Sequence, residues 1–401
     1  MSGASLAARL SVIRPSATLA IAKRANEMRA QGIDVISFGV GEPDFETPEH
    51  IRDAAKRAID AGVSRYTDVR GVKSLREAIC ADSARRRGGV THTPEEVVVS
   101  VGAKQSLFNV ALSLYDEGDE VLVPAPYWVS YPEQIRLVGA TPVTLETREE
   151  DGFCLSPEVL DRAIGPRTKA LILCTPSNPT GSAYTRAQLE ALAAVARKHS
   201  FWIVVDEIYG RLVYDGFDQR SILEVAPDLR DRIVIVDGVS KTYAMTGWRI
   251  GWVLGPVAVA KACDQMQGQV TSNATAVAQY AALAALAGPH DSFDVMHRAF
   301  EERRRVMLEG LTAISGIRCR TPEGAFYAFP DVRALFGKRA GGKALENDVD
   351  VAQYLLERAR VAVVPGTPFG APGYIRLSYA TSLELIGEGL TRIRDAVAEL
   401  A

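Results

Sequence analysis

Apolar residues in the middle of this chain fall in short, nearly continuous runs. The runs Val97–Val101, Glu120–Val123, Ala170–Cys174, Phe201–Val205 and Ile233–Val236 are mostly rich in β-branched or aromatic side chains. Segments with helical spacing separate several of them. Between 186 and 199, for example, Leu189, Leu192, Ala193 and Val195 share one side of a helix. Continuous apolar strands alternating with helices predict an α/β fold, with a mainly parallel central sheet covered by helices on both faces.

The two ends follow another pattern. The first 48 or so residues carry a helix candidate and the turn-rich stretch from Gly39 to Pro48. After Pro289 come a long charged helix, Phe293–Leu311, and short strand candidates at Ala362–Val364 and Tyr374–Leu377. A last helix begins near Ser382. This predicts a large α/β domain over residues 50–289 and a smaller α+β domain built from 1–49 and 290–401.

A length of 401 residues suits such a division, and 47% apolar with 24% charged residues is ordinary for a soluble globular protein. The net charge of −3 supplies no basic field for nucleic acid or an anionic membrane. The one basic run, Arg85-Arg86-Arg87, is expected as a solvated helix terminus. Five cysteines, without a CxxC pair and with few histidines, argue against a metal site and a disulfide framework and point to a reducing compartment. No run of roughly 18 apolar residues signals a membrane span, so the expected location is the cytoplasm.

Ligands of open α/β sheets gather at the carboxyl ends of the strands, and four runs end in polar residues. Gly102-Ala103-Lys104 opens a helix predicted over 105–114, an arrangement that attracts anions or simply makes a tight turn. Ser177-Asn178-Pro179-Thr180-Gly181 holds an amide in rigid turn chemistry, and a purely structural turn fits it equally well. Asp206 follows five apolar residues; it is either a carboxylate short of hydration or the N-cap of a helix. Ser240-Lys241 follows the last run, with Arg249 eight positions on. A lysine there is either desolvated into a nucleophilic amine or extended past the sheet to water. Taken together, the set meets the needs of pyridoxal phosphate: a phosphate grip, a partner for the phenolate, a carboxylate for the pyridine nitrogen and an amine for the aldehyde.

At these residues the chain resembles the class I aminotransferases, and within them the bacterial-type branch of aspartate aminotransferases. The segments from Ser240 to Gly251, from Ser177 to Gly181 and from Tyr374 to Ala380 carry the resemblance, which extends from about Ala8 to the C-terminus. It implies that Lys241 is the Schiff-base lysine and proton shuttle, that Asp206 pairs with the pyridine nitrogen, and that Asn178 and Tyr209 bond the phenolate oxygen. Trp128 stacks on the ring. Gly102, Ala103, Ser240 and Arg249 hold the phosphate, with Lys104 beside them. Arg376 grips the substrate α-carboxylate through a fork that lysine cannot copy. Gly41, together with Trp128 and Asn178, lines the substrate side. Tyr66 reaches the cofactor phosphate of a neighbouring subunit, which implies a homodimer with shared sites.

For substrate, the branch resemblance assigns Lys104 to the distal carboxylate of a dicarboxylic amino acid and Thr18 to the pocket. It implies aspartate:2-oxoglutarate transamination with ping-pong kinetics, and prephenate as a second acceptor. Thr271-Ser272-Asn273 carries no arginine, so the distal contact of the animal-type branch is missing. The competing readings are an aromatic or alanine aminotransferase or a carbon–sulfur lyase on the same fold, a cofactor-sensing regulator, and an inactive homologue. No segment is left over for a DNA-binding domain, and Lys241, Asp206 and Arg376 are all present, which disfavours the last two.

Overall fold

The computed structural model describes residues 6–13 and 17–401, with the side chains of residues 17–19 and 22 outside that set. A two-residue strand, β1 (Ile36–Ser37), precedes a seven-stranded sheet. The sheet is made of β2 (Val97–Val101), β3 (Glu120–Ala125), β4 (Thr141–Glu146), β5 (Thr168–Cys174), β6 (Trp202–Asp206), β7 (Ile233–Gly238) and β8 (Ile250–Leu254), in the order β2-β8-β7-β6-β5-β3-β4. All pairs are parallel except those of β8, which runs antiparallel to both β2 and β7. Every residue of β7 and β8 is buried, as expected for strands covered on both faces. Helices Glu49–Asp60, Lys73–Arg86, Arg186–Ala196 and Ala276–Ala287 contribute to the core on one face. Helices Ala103–Leu114, Ser130–Leu137 and Val257–Val270 contribute to the core on the other.

The reversed direction of β8 has a functional result. Strands β2, β5, β6 and β7 all finish at one edge of the sheet, while β8 starts there, since Val101 pairs with Ile250 and Gly238 with Gly251. Arg249, immediately before β8, therefore arrives beside Gly102, at the sheet edge where Asp206 and Lys241 also lie.

A second core gathers both ends of the chain. Strand β9 (Tyr327–Ala328) is followed by the small hairpin β10 (Arg339–Ala340) and β11 (Lys343–Ala344), then β12 (Val361–Ala362), β13 (Val364–Pro365) and β14 (Ile375–Ser378). Strands β13, β14 and β9 make an antiparallel sheet, while β12 pairs in parallel with β1. Helices Asp291–Thr312 and Leu383–Ala398 cover this core, and Ser382 caps the latter through Leu385 N–H. The single strand expected at Ala362–Val364 is in fact two. Residues up to Ala362 follow β1, and from Val364 the chain turns to β14.

The structure corrects the reading of Arg85-Arg86-Arg87. Arg85 is exposed, but Arg87 is 2% exposed and Arg86 is largely enclosed. Arg87 bonds Glu207 at 2.6 Å and Asp237 at 3.0 Å, and Arg86 reaches Asp237 at 2.6 Å and Asp82 at 3.5 Å. Two carboxylates at adjacent buried strand ends need cations, and the helix terminus supplies them.

Candidate active site

A cavity of about 500 Å³ opens where β5, β6 and β7 end and meets β9, β14 and the segment after β1. Its walls include Gly41, Ala103, Lys104, Trp128, Asn178, Asp206, Tyr209, Ser240, Lys241, Arg249 and Arg376. Residues picked out from separate parts of the sequence thus share one space. Gly102 lies just behind the wall: at φ +80° it is in the left-handed region, and a Cβ there would lie 2.8 Å from Arg249 Cζ. Glycine lets that guanidinium close over the start of the helix Ala103–Leu114, whose first N–H groups lack intrahelical acceptors. With Ser240 alongside, this corner can bind an anion.

Asp206 closes β6 at the cavity floor and is 4% exposed. No helix follows it, so the N-cap alternative falls away. Its partners are the Tyr131 hydroxyl at 2.8 Å and the Ile208 N–H at 3.1 Å rather than a cation. Burial pushes the carboxyl up to about 6, against the pull of those two hydrogen bonds. A protonated ring nitrogen placed against it would offset that penalty.

Lys241 is held from the opposite wall. Its Nζ donates to the Gly41 carbonyl at 2.6 Å and lies 5.9 Å from the Tyr209 ring. Burial brings the amine down to about 8, with Glu42 pulling the other way. The segment bearing Gly41 is fastened to the loop after Lys241: Thr47 Oγ1 donates to the Ala244 carbonyl at 2.7 Å, and Thr246 donates to Glu42 at 2.9 Å.

Arg376, on β14, is 2% exposed. It donates to Asn178 Oδ1 at 2.9 Å and to the Gly39 carbonyl at 2.8 Å, while its buried Nε has no partner. Burial lowers its affinity for the proton, yet a guanidinium stays charged. A buried, incompletely bonded guanidinium beside a cavity is suited to a carboxylate. Lys104 stands exposed at the rim with Nζ 4.8 Å above the Trp128 ring.

One expected residue falls elsewhere. Tyr66 is 90% exposed and does not line the cavity. The Thr18 side chain, with Pro15 and Ser16, lies outside the described residues. Sequence reasoning passed over Tyr131, Glu42, Cys174 and Tyr327, all of which line the cavity. Tyr131 had a readable signal, since it follows Trp128 by three positions at a helix start. Tyr327 had none; only the packing of β9 against β14 brings it in.

Comparison with known proteins gives one consistent picture. The family model described as "Aminotransferase class I and II" matches residues 33–393. An aspartate/prephenate aminotransferase of Cereibacter sphaeroides is 47% identical, over 98% of this chain and 98% of its own. An aspartate aminotransferase of Geobacillus stearothermophilus is 48% identical, over 97% of this chain and 98% of its own. Among solved structures, the aspartate aminotransferase from Rhizobium meliloti superposes with a TM-score of 0.96 at 42% identity, with both chains fully covered.

Proposed function

Since the chain belongs to the class I and II aminotransferase family, we propose that its cavity binds pyridoxal 5′-phosphate and exchanges the amino group of L-aspartate for the oxo group of 2-oxoglutarate. The observation that carries this reading is the convergence of Lys241, Asp206 and Arg376 on one cavity from three distant stretches of sequence. The residues fit the cofactor. Asp206 is a buried carboxylate without a cation, the Gly102 turn leaves room for Arg249 to face a phosphate, and Arg376 Nε is unpartnered.

When bound, the cofactor supplies an aldehyde that condenses with amines and a ring that accepts the electron pair left on a substrate's Cα. Asp206 keeps the ring nitrogen protonated, and Asn178 and Tyr209 hold the ring oxygen. Trp128 covers one face. Gly102, Ala103, Ser240, Arg249 and the adjoining Lys104 surround the phosphate. Arg376 fixes the substrate's α-carboxylate, and Gly41 with Asn178 shapes its pocket. Lys241 Nζ, titrating at about 8 before the cofactor arrives, is a base close to neutrality that can take the proton from Cα. The two half-reactions share one site, so the kinetics are ping-pong.

Lys104 at the rim suits the distal carboxylate of aspartate, with Thr18 assigned to the same pocket. The name of the Cereibacter sphaeroides relative supports prephenate as a second acceptor. The exposed Tyr66 is explained by a homodimer in which it enters the partner's site; Thr271, Ser272 and Asn273 then face that partner. A large domain over 50–289 and a small one from 1–49 and 290–401 put the cavity at the seam between two cores. A cytoplasmic location suits five cysteines that are all free. Among the described residues no helix is long and apolar enough to cross a membrane.

The test is a half-reaction. L-aspartate without an acceptor should discharge the lysine–cofactor absorbance and release one oxaloacetate per site, and 2-oxoglutarate should restore the band. L-alanine and L-phenylalanine at the same concentration should act far more slowly. If one of them outpaces aspartate, the substrate assignment is wrong; if no amino acid alters the band, the reaction is.

A further inference from the structure

Tyr327 is 1% exposed and sits where the wall residues meet. Its hydroxyl is 2.8 Å from that of Tyr209. Its ring lies under Arg376, whose Cζ is 4.5 Å from the ring centre. Gly41 closes the third side: a Cβ there would stand 2.7 Å from the Tyr327 hydroxyl oxygen. Strand pairing fixes this position, since Tyr327 on β9 is opposite Ser378 on β14, two residues beyond Arg376.

A phenol carries one proton. In the cofactor-binding reading above, on which this inference rests, Tyr209 directs its proton at the cofactor's ring oxygen. The contact with Tyr327 is then satisfied only if Tyr327 donates and Tyr209 accepts. We propose that Tyr327 is a positioning residue for the reaction: it donates to Tyr209, aims the Tyr209 proton at the ring oxygen, and connects that oxygen to the carboxylate site through the Arg376 guanidinium stacked on its ring. Hydrogen bonds in a chain polarise one another, so a Tyr209 that accepts is the better donor. Burial raises the proton affinity of the Tyr327 hydroxyl, and the Arg376 cation over the ring opposes that rise, which makes the hydroxyl a stronger donor than burial alone would leave it. A carboxylate on Arg376 neutralises the cation and weakens the chain, so substrate binding at one end is felt at the other.

The experiment is a spectrophotometric pH titration of the lysine–cofactor chromophore in the holoenzyme, in wild type, Tyr327→Phe, Tyr209→Phe and the double variant. Tyr327→Phe keeps the ring under Arg376 and removes only the hydroxyl. A ring oxygen with a weaker donor is less stabilised as an anion, is therefore more basic, and favours the protonated chromophore. The midpoint should therefore rise by about 0.5–1 pH unit in Tyr327→Phe, the size expected for one hydrogen bond of about 1 kcal/mol. In the Tyr209→Phe background the same substitution should add nothing, because the intermediary is gone. An unchanged midpoint, or an equal shift in both backgrounds, overturns the inference while leaving the cofactor reading intact. A wild-type holoprotein without a titrating chromophore, or a Lys241→Ala variant that retains it, overturns the cofactor reading and the inference with it.

Discussion

Lys241 Nζ and the carbonyl oxygen of Gly41 are 2.6 Å apart, although 200 positions separate them in the chain. The bond holds a half-buried amine that has lost part of its hydration, and one carbonyl does not replace it in full. The amine accordingly titrates at about 8, below the ordinary lysine value of 10.5.

This has a measurable consequence for stability without cofactor. Between about pH 8 and 10.5 the unfolded chain holds more protons at Lys241 than the folded chain. Folding stability of the wild type should then rise with pH through that window, and the burial penalty is fully present below it. Cofactor-free Lys241→Met should be more resistant to urea than wild type at pH 7, with the gap narrowing towards pH 10.5. A gap that does not depend on pH contradicts the assignment of this titration to Lys241.

Tyr131→Phe removes the 2.8 Å bond to Asp206. That bond favours the ionised carboxylate, so its loss raises the Asp206 pKa further and moves the acid limb of the pH–rate profile upward. A hydrogen bond to a charged group contributes roughly 1.5–3 kcal/mol, so kcat/KM for aspartate should fall about 10- to 100-fold near neutral pH. Stopped-flow half-reactions across pH 5–9 would reveal it; an acid limb left where it was removes Tyr131 from this role.

Arg87→Met should destabilise the protein by about 3–5 kcal/mol, because Glu207 and Asp237 stay buried with a cation missing. Adding Glu207→Gln should recover part of the loss by deleting one uncompensated charge. Chemical denaturation of the single and double variants provides the check. A loss below about 1 kcal/mol in Arg87→Met, the level of a surface pair, would return Arg87 to the solvated role expected from sequence.

Lys104→Ala should cut kcat/KM for aspartate at least tenfold and change that for alanine less than threefold, since only the first substrate presents a second carboxylate to the rim. Equal losses on both substrates assign Lys104 to the cofactor phosphate alone.

Sequence patterning conveyed most of the central sheet because strands buried on both faces are almost wholly apolar, as in Ile233–Val236 and, but for Ser100, Val97–Val101. Strand-end chemistry then led to Asn178, Asp206 and Lys241, which the cavity brings together. What stayed hidden depends on pairing between distant segments. The burial of Arg87 is decided by carboxylates 120 and 150 residues away. The position of Tyr327 is decided by the register of two short strands. The split at Val363 reflects two competing partners, β1 and β14. Local periodicity records which face of an element is apolar, not which neighbour covers it.

The wall around Arg376 and Gly39 closes through a strand of the last thirty residues and a segment near the start. As the chain emerges from the ribosome, Lys241 and Asp206 are exposed long before their ceiling exists. In the cofactor-binding reading, firm capture must therefore wait until β14 has been made and has folded back onto Gly39. Contacts of such long sequence separation form slowly, which makes this wall one of the last parts of the pocket to be completed.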